Sequence, residues 1–314
     1  MCEKTMKIVF MGTPDFAVPS LEALLADGQE VSLVVTQPDR RKGRGKEMQM
    51  PPVKRCALAH GLPVYQPDKI KTPEAVGRLR AERPDAIVVA AFGQLLSPEI
   101  LALPRYGCIN VHASLLPKYR GAAPIQWAVI GGEKESGVTI MQMDAGLDTG
   151  DILLQEKMAL EPKETGESLY GKLSAMGGPL LVRALHEIEA GTLTPRRQAD
   201  GESSYARMLR REMGQIRWNS GAAAIERLIR GMNSWPSAFT HLHGKLLKIW
   251  DADVTDKKSA GAPGSVVAAD RDAVYVNTGD FQLALKEVQA EGKRRMSAHD
   301  FLLGCAVAVG DILE

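Results

Sequence analysis

Apolar residues in the first half of the chain come in short continuous runs rather than in strict alternation. Lys7-Ile8-Val9-Phe10-Met11 is β-branched and apolar, Gly12-Thr13-Pro14-Asp15 breaks it, and Leu21, Leu24 and Leu25 recur at helical spacing before Gly28. That is the pattern of a strand, a loop and a helix. Val31 to Thr36, Asp85 to Phe92, Cys108 to His112 and Val138 to Met143 read as four further strands, with helical patterns between several of them. Such runs alternating with helices signal a parallel sheet covered on both faces. The expectation is an α/β domain with a doubly wound, mostly parallel sheet, whose ligands bind beyond the strand C-termini. Leu169 to Ile188 predicts a closing helix and sets this domain at residues 6–190.

The pattern then changes. Residues 191–204 carry Thr192, Thr194, Pro195, Asp200, Gly201 and Ser203, the composition of a linker. A helical stretch, Ala222 to Gly231, precedes short segments at Leu246 to Trp250, Gly264 to Ala268, Ala273 to Asn277 and Gln282 to Val288, punctuated by Gly, Asp and Pro. This spacing predicts a small antiparallel barrel of OB-like size over residues 205–314.

Length agrees with two domains, since 314 residues is long for a single core. At 45% hydrophobic and 25% charged residues, the composition is that of a folded protein. A net charge of +1 neither favours nor excludes a polyanionic partner, because local clustering of Lys and Arg decides that. Cys2, Cys56, Cys108 and Cys305 are far apart and form no CxxC pair, so neither a zinc site nor a disulfide framework is expected. Reduced thiols fit a cytoplasmic setting. The N-terminus lacks the apolar core of a signal peptide, and no apolar run approaches the ~20 residues that span a bilayer. A soluble, cytoplasmic protein without membrane association is therefore expected.

Candidate chemistry lies in the fourth strand. Asn110 and His112 sit at i and i+2 there, so their side chains share a face. The strand runs straight into Ala113-Ser114-Leu115-Leu116-Pro117, which puts both residues at its C-terminal edge. Either residue alone is more simply read as a hydrogen-bonded structural group. A third member is Asp148, in the Gly-rich acidic loop Met143 to Asp151, expected to leave the C-terminal edge of the next strand and reach the imidazole. The trio suits nucleophilic attack on a carbonyl carbon: Asn and His stabilise the developing oxyanion, and the carboxylate orients the His or handles protons. A Ser-His-Asp hydrolase using Ser114 lacks a GxSxG elbow and puts the serine only two residues from His112. Gly12-Thr13-Pro14 matches neither GxGxxG nor a P-loop. His60, His186, His241, His243 and His299 show no ligand spacing, so no metal is expected.

Over Asn110-Val111-His112-Ala113-Ser114-Leu115-Leu116-Pro117-Lys118-Tyr119-Arg120-Gly121 and Gly146-Leu147-Asp148-Thr149-Gly150 the sequence resembles the 10-formyltetrahydrofolate-dependent formyltransferases. The resemblance implies a Rossmann-like domain followed by an OB-like barrel, in agreement with the pattern above. It implies that Asn110, His112 and Asp148 are catalytic. It also implies that Ser114, Leu115, Leu116 and Pro117 bind the folate, joined by Phe92, Gly93, Gln94 and Leu95 of a loop that meets the pterin.

Within the family, the chain is similar over nearly its whole length to members that act on initiator tRNA. The similarity is carried by Gly12-Thr13-Pro14-Asp15-Phe16, the basic run Gln37 to Lys46, Gly121-Ala122-Ala123-Pro124-Ile125-Gln126-Trp127 and Gly292-Lys293-Arg294-Arg295-Met296-Ser297-Ala298. The activity so implied moves the formyl group of 10-formyltetrahydrofolate, a co-substrate, to the free amino group of methionyl initiator tRNA, with no obligate protein partner. Arg40, Arg41, Lys42, Arg44 and Lys46, made mobile by Gly43 and Gly45, are then expected to order against the acceptor stem, and residues 205–314 to bind tRNA. A formyltransferase for a sugar-nucleotide or other small amine, a formyltetrahydrofolate hydrolase and a non-enzymatic RNA-binding barrel are the alternatives.

Overall fold

In the computed structural model, which describes residues 5–42 and 47–314, the apolar runs of the first half join one seven-stranded sheet. Its strands are β1 (Lys7–Gly12), β2 (Glu30–Val35), β3 (Val64–Tyr65), β4 (Ala86–Ala90), β5 (Cys108–His112), β6 (Glu135–Gln142) and β7 (Ile152–Ala159), in spatial order β7-β6-β5-β4-β1-β2-β3. From β3 across to β5 every pairing is parallel. The chain first builds outward from β1 to β3 and then resumes at β4 on the other side of β1. Strand order thus reverses between β1 and β4, and at such a switch point the loops diverge and leave a crevice beyond the strand C-termini.

The sixth strand differs from a uniformly parallel reading. It runs antiparallel to β5, with His112 opposite Thr139 and Ile109 opposite Gln142, and β7 runs antiparallel to β6. The physical reason is the connection: residues 113–134 return the chain to the edge at which β5 ended, instead of crossing over to its start.

Helices cover both faces of this sheet. On one, Val9, Met11, Leu33, Val35, Ile87 and Val89 pack with Ile70, Leu79 and Ile100, the last two from helices Pro73–Glu82 and Pro98–Leu101. The Pro73–Glu82 helix starts at Thr72, whose hydroxyl accepts from Ala75 N at 3.3 Å, with Pro73 in the first turn. On the other face, helices Val18–Ala26 and Gly166–Glu189 approach closely. A Cβ on Gly178 would lie 2.7 Å from Pro19 O, and one on Gly177 would lie 2.9 Å from Val111 Cγ1. Glycine costs about 1 kcal/mol in a helix interior, and here the close packing of helix on helix and helix on strand requires it.

This sheet belongs to a unit comprising the chain up to Gly121, Glu135–Ala159 and Tyr170–Ala206. Residues 191–204, expected as a linker, run along it. Arg196 exchanges two backbone hydrogen bonds of 2.8 Å with Ile152, and Tyr205-Ala206 pairs in parallel with Arg120-Gly121.

The second unit comprises Ala122–Lys134, Leu160–Leu169 and Arg207–Glu314. It contains an antiparallel sheet of β8 (Ala238–Leu242), β9 (Lys245–Lys258), β10 (Val266–Ala269), β11 (Val274–Asn277) and β12 (Phe281–Ala290), ordered β8-β9-β12-β11-β10. Both edges are closed by the chain's last residues: Glu314 exchanges hydrogen bonds with His241 of β8, while Leu313 N donates to Gly264 O and Val266 N of β10 donates to Asp311 O. Closing the edges in this way removes the open strands that would otherwise pair with other chains. Ile225 and Ile229 of the amphipathic helix Ala222–Gly231 pack with Leu247, Ile249, Val276, Leu283 and Leu285 as its core. No helix among the described residues is long and apolar enough to cross a membrane.

Candidate active site

Strand alternation puts Cys108, Asn110 and His112 on one face of β5. Cys108 lies fully in the core; burial pushes its thiol up to about 12, and it donates to Ile100 O at 3.7 Å, so it offers no thiolate. Toward the strand end the cover thins, and Asn110 and His112 are 8% and 6% exposed. Among the described residues the carboxamide of Asn110 makes no hydrogen bond. The imidazole of His112 donates from Nε2 to Tyr119 O at 3.0 Å, a role fixed because a carbonyl can only accept. Its Nδ1 lies 3.7 Å from Asp148 Oδ2, which also accepts from Gly121 N at 2.8 Å.

Asp148 therefore meets His112, but by a different route from the expected one. Because β6 is antiparallel to β5, the loop after β6 leaves beside the start of β5, with Met143 N donating to Cys108 O, and must fold back to reach His112. Several contacts hold it there. Asp144 accepts from Gly146 N and from the Thr149 hydroxyl. The buried Gln198 donates to Asp148 O and Gly150 O, at 2.8 and 2.7 Å. A Cβ on Gly150 would fall 1.8 Å from Gln142 O. Gly150→Ala should accordingly destabilise the protein by about 1–3 kcal/mol, the usual cost of overpacking. An unchanged melting temperature would show that the loop yields freely.

Three non-glycine residues with left-handed backbone border the site: Ala91 (φ 46°) after β4, Tyr119 (φ 61°) after β5 and Asp148 (φ 53°) after β6. Each such residue costs about 1–3 kcal/mol and persists only where its surroundings enforce it.

Ser114 is 1% exposed and its hydroxyl donates to Lys118 O at 2.7 Å, while His112 Nε2 is engaged with Tyr119 O. No serine–histidine relay exists between them. The turn Ser114 to Pro117 rests on Thr139 of β6, which donates to Ser114 O and accepts from Leu116 N, and on Gln155 of β7, which donates to Leu116 O. Leu116 is buried. In the loop after β4, Phe92 turns its ring into the core and Gln94 caps Ile70 N, whereas Gly93 (φ 87°) turns the chain and Leu95 is 61% exposed.

Arg40–Lys42 of the basic run pairs antiparallel with Glu47–Gln49, just beyond the run, as the two strands of a hairpin. Arg40 and Arg41 are exposed; Arg44 and Lys46 lie outside the described residues. The hairpin root is fastened to the crevice. Gln37 donates from its side chain to Phe92 O and from its backbone to the Thr13 hydroxyl, which itself donates to Phe92 O. Below it, Lys54 pairs with Asp39 at 2.7 Å and Gln66 donates to Asp39 and to Gln37 O; Lys54 and then Gln66 hold the Asp39 carboxyl below its ordinary value.

Sequence reasoning missed Gln198, Thr139, Asp39, Lys54 and Gln66. Thr139 left a trace, as a polar residue in an apolar strand, but Gln198 is one polar residue in a polar stretch. Among the described residues, no group of three or more His, Cys, Asp or Glu is placed to hold a metal ion.

A family model described as "Formyl transferase" matches residues 6–185, and one described as "Formyl transferase, C-terminal domain" matches residues 208–306. Proteins named methionyl-tRNA formyltransferase from Lachnospira eligens and Agathobacter rectalis are each 53% identical to the chain. The alignments cover 98% and 97% of this chain and 99% and 98% of theirs. Among solved structures, HypX from Aquifex aeolicus in complex with tetrahydrofolic acid aligns with 96% of this chain and 47% of its own, at TM-score 0.64 and 18% identity. WlaRD, described as a sugar 3N-formyl transferase, aligns with 93% of this chain and all of its own, at TM-score 0.66 and 19% identity. At those identities the likeness is one of fold. With both family regions matched and relatives more than half identical end to end, the chain belongs to the formyl transferase family.

Proposed function

We propose that the protein transfers the formyl group of 10-formyltetrahydrofolate to the free amino group of methionyl initiator tRNA, the reaction that supplies the formylated initiator for translation. The acceptor is supported by the full-length relatives. The chemistry is carried by one observation: a buried, unengaged carboxamide and an imidazole backed by a carboxylate share the C-terminal end of β5, the strand next to the switch point.

The folate supplies an electrophilic formyl carbon, and the residues present fit it. Leu95 and Leu147 offer exposed apolar surface on two loops at this edge, beside backbone groups of the 91–96 and 114–117 segments, as a flat heteroaromatic ring requires. When the amine attacks, negative charge gathers on the formyl oxygen. Asn110 donates a carboxamide hydrogen to that oxygen. With Nε2 fixed on Tyr119 O, protonated His112 presents Nδ1–H to the same point. The 3.7 Å gap to Asp148 is too long for a hydrogen bond, so Nδ1–H is left for the substrate, with the carboxylate beside it. Asp148 also receives the amine proton through water, and collapse of the tetrahedral adduct breaks the formyl C–N10 bond, so that tetrahydrofolate leaves with a proton on N10.

Arg40, Arg41, Lys42, Arg44 and Lys46 contact the tRNA backbone in this reading, at a hairpin rooted beside the crevice, and residues 205–314 supply further tRNA contacts. The test is direct: purified protein is given 10-formyltetrahydrofolate with charged initiator tRNA, uncharged tRNA or small amines. Formylation of the charged tRNA alone is expected; formylation of a small amine at comparable kcat/KM, or release of formate without acceptor, would overturn the reading. Replacing the five basic residues by Ala should raise KM for charged tRNA about tenfold or more. It should also flatten the salt dependence of log K by about one unit or less per lost phosphate contact. Wild-type kinetics and salt slope in that variant would leave tRNA recognition to the second unit.

A further inference from the structure

We propose that Gln198 is a positioning residue for the formyl transfer reaction, acting through Asp148; this rests on the reading of Asp148 given above. Gln198 is 5% exposed and its carboxamide is fully used. Both Nε2 hydrogens go to backbone carbonyls of the folded-back loop, Asp148 O at 2.8 Å and Gly150 O at 2.7 Å, and Oε1 accepts from Arg120 Nε at 2.9 Å. Arg120 is itself held by Asp200, at 2.9 Å. The amide's orientation follows from its partners. A flipped group would turn its oxygen toward two carbonyls and its nitrogen toward a guanidinium.

The loop needs such a hold. Asp148 stands in left-handed backbone, which a residue with a Cβ does not adopt without cost, and its carboxylate is aimed by that backbone at Gly121 N and His112 Nδ1. Gln198 grips the carbonyls on either side of Thr149 and so fixes the peptide planes that set the direction of the Asp148 side chain. Release of those carbonyls lets the loop relax away from His112. A misplacement on the order of 1 Å at a reacting group costs about 10²-fold in rate.

The experiment is a double-mutant cycle in the full-length protein, read as kcat and both KM values with 10-formyltetrahydrofolate and methionyl initiator tRNA. Gln198→Met fills the same volume with no donors, and Gln198→Glu keeps the shape but turns oxygens toward the two carbonyls. Each is made alone and on the Asp148→Asn background. Each single Gln198 variant should lose roughly 10- to 10²-fold in kcat, with both KM values nearly unchanged. On the Asp148→Asn background the same substitutions should cost almost nothing more, since the group they position is already disabled.

The proposal is overturned if the Gln198 variants keep wild-type kcat, or if they lose the same factor in both backgrounds, as a merely structural stitch would. Melting curves accompany the kinetics. Should both Gln198 variants fail to fold, Arg120→Met, which keeps the amide but frees it to rotate, takes their place, and the same two patterns decide. Failure of the parent reading looks different: Asp148→Asn alone would then turn over like the wild type.

Discussion

His112→Ala is expected to lower kcat for formyl transfer by roughly 10²-fold or more, the scale of a lost oxyanion or acid–base group, with folate affinity little altered. The ring reaches the site from a strand whose backbone pairs on both sides, and its side-chain hydrogen bond among the described residues is to Tyr119 O. Its removal therefore deletes Nδ1–H from the transition state while leaving the sheet intact. Asn110→Ala should act on the same oxygen, so the double variant should lose less than the product of the two single losses. Single-turnover transfer by His112→Ala at a near-normal rate would remove the imidazole from the chemistry.

Asp148→Asn should bring a loss of about 10²-fold or more in kcat at nearly constant stability. The amide oxygen of Asn can still accept from Gly121 N, and Gln198 still holds the loop backbone, so the shape of the site survives. What disappears is the negative charge beside Nδ1. Wild-type kcat with an unchanged melting temperature would show that the carboxylate does no more than cap Gly121.

The parts of this site that were legible in the sequence are those whose geometry is local. Asn110 and His112 share a face because two residues on a strand always do, and the apolar runs at Lys7, Val31, Asp85 and Cys108 specify parallel strands through their continuity. Long-range features left no such mark. The direction of β6 depends on where residues 113–134 return the chain, so the path of the Asp148 loop could not be read from the Gly-Leu-Asp-Thr-Gly spacing. Gln198 joins the loop only because Arg196 pairs with Ile152, a register that nothing in the turn-rich 191–204 stretch announces. The strand Ala238–Leu242 was hidden for a similar reason. His241 and Thr240 break its apolar pattern, and it is completed by the last residues of the chain, with Thr240 donating to Glu314 O.

The interleaving of the two units bears on synthesis. A ribosome delivers Ala122–Lys134 and Leu160–Leu169 while the sheet of the first unit is still growing, yet both segments belong to the unit whose bulk begins at Arg207. Ala123, with Trp127 and Ile130 from the helix Pro124–Gly131, packs against Leu209, Met213, Leu228 and Met232, none of which has been made at that stage. The first unit gains its last strand pairing as Tyr205-Ala206 emerges, whereas the apolar helix Pro124–Gly131 stays uncovered until Leu209 to Met232 follow. The nascent chain thus has one sticky interval that ends at Met232 and a second, for the barrel sheet, that ends when residues 311–314 seal both its edges. A chain stalled or cut short within the barrel would carry open strands together with the uncovered apolar face of the helix Ala222–Gly231, the combination on which aggregation feeds.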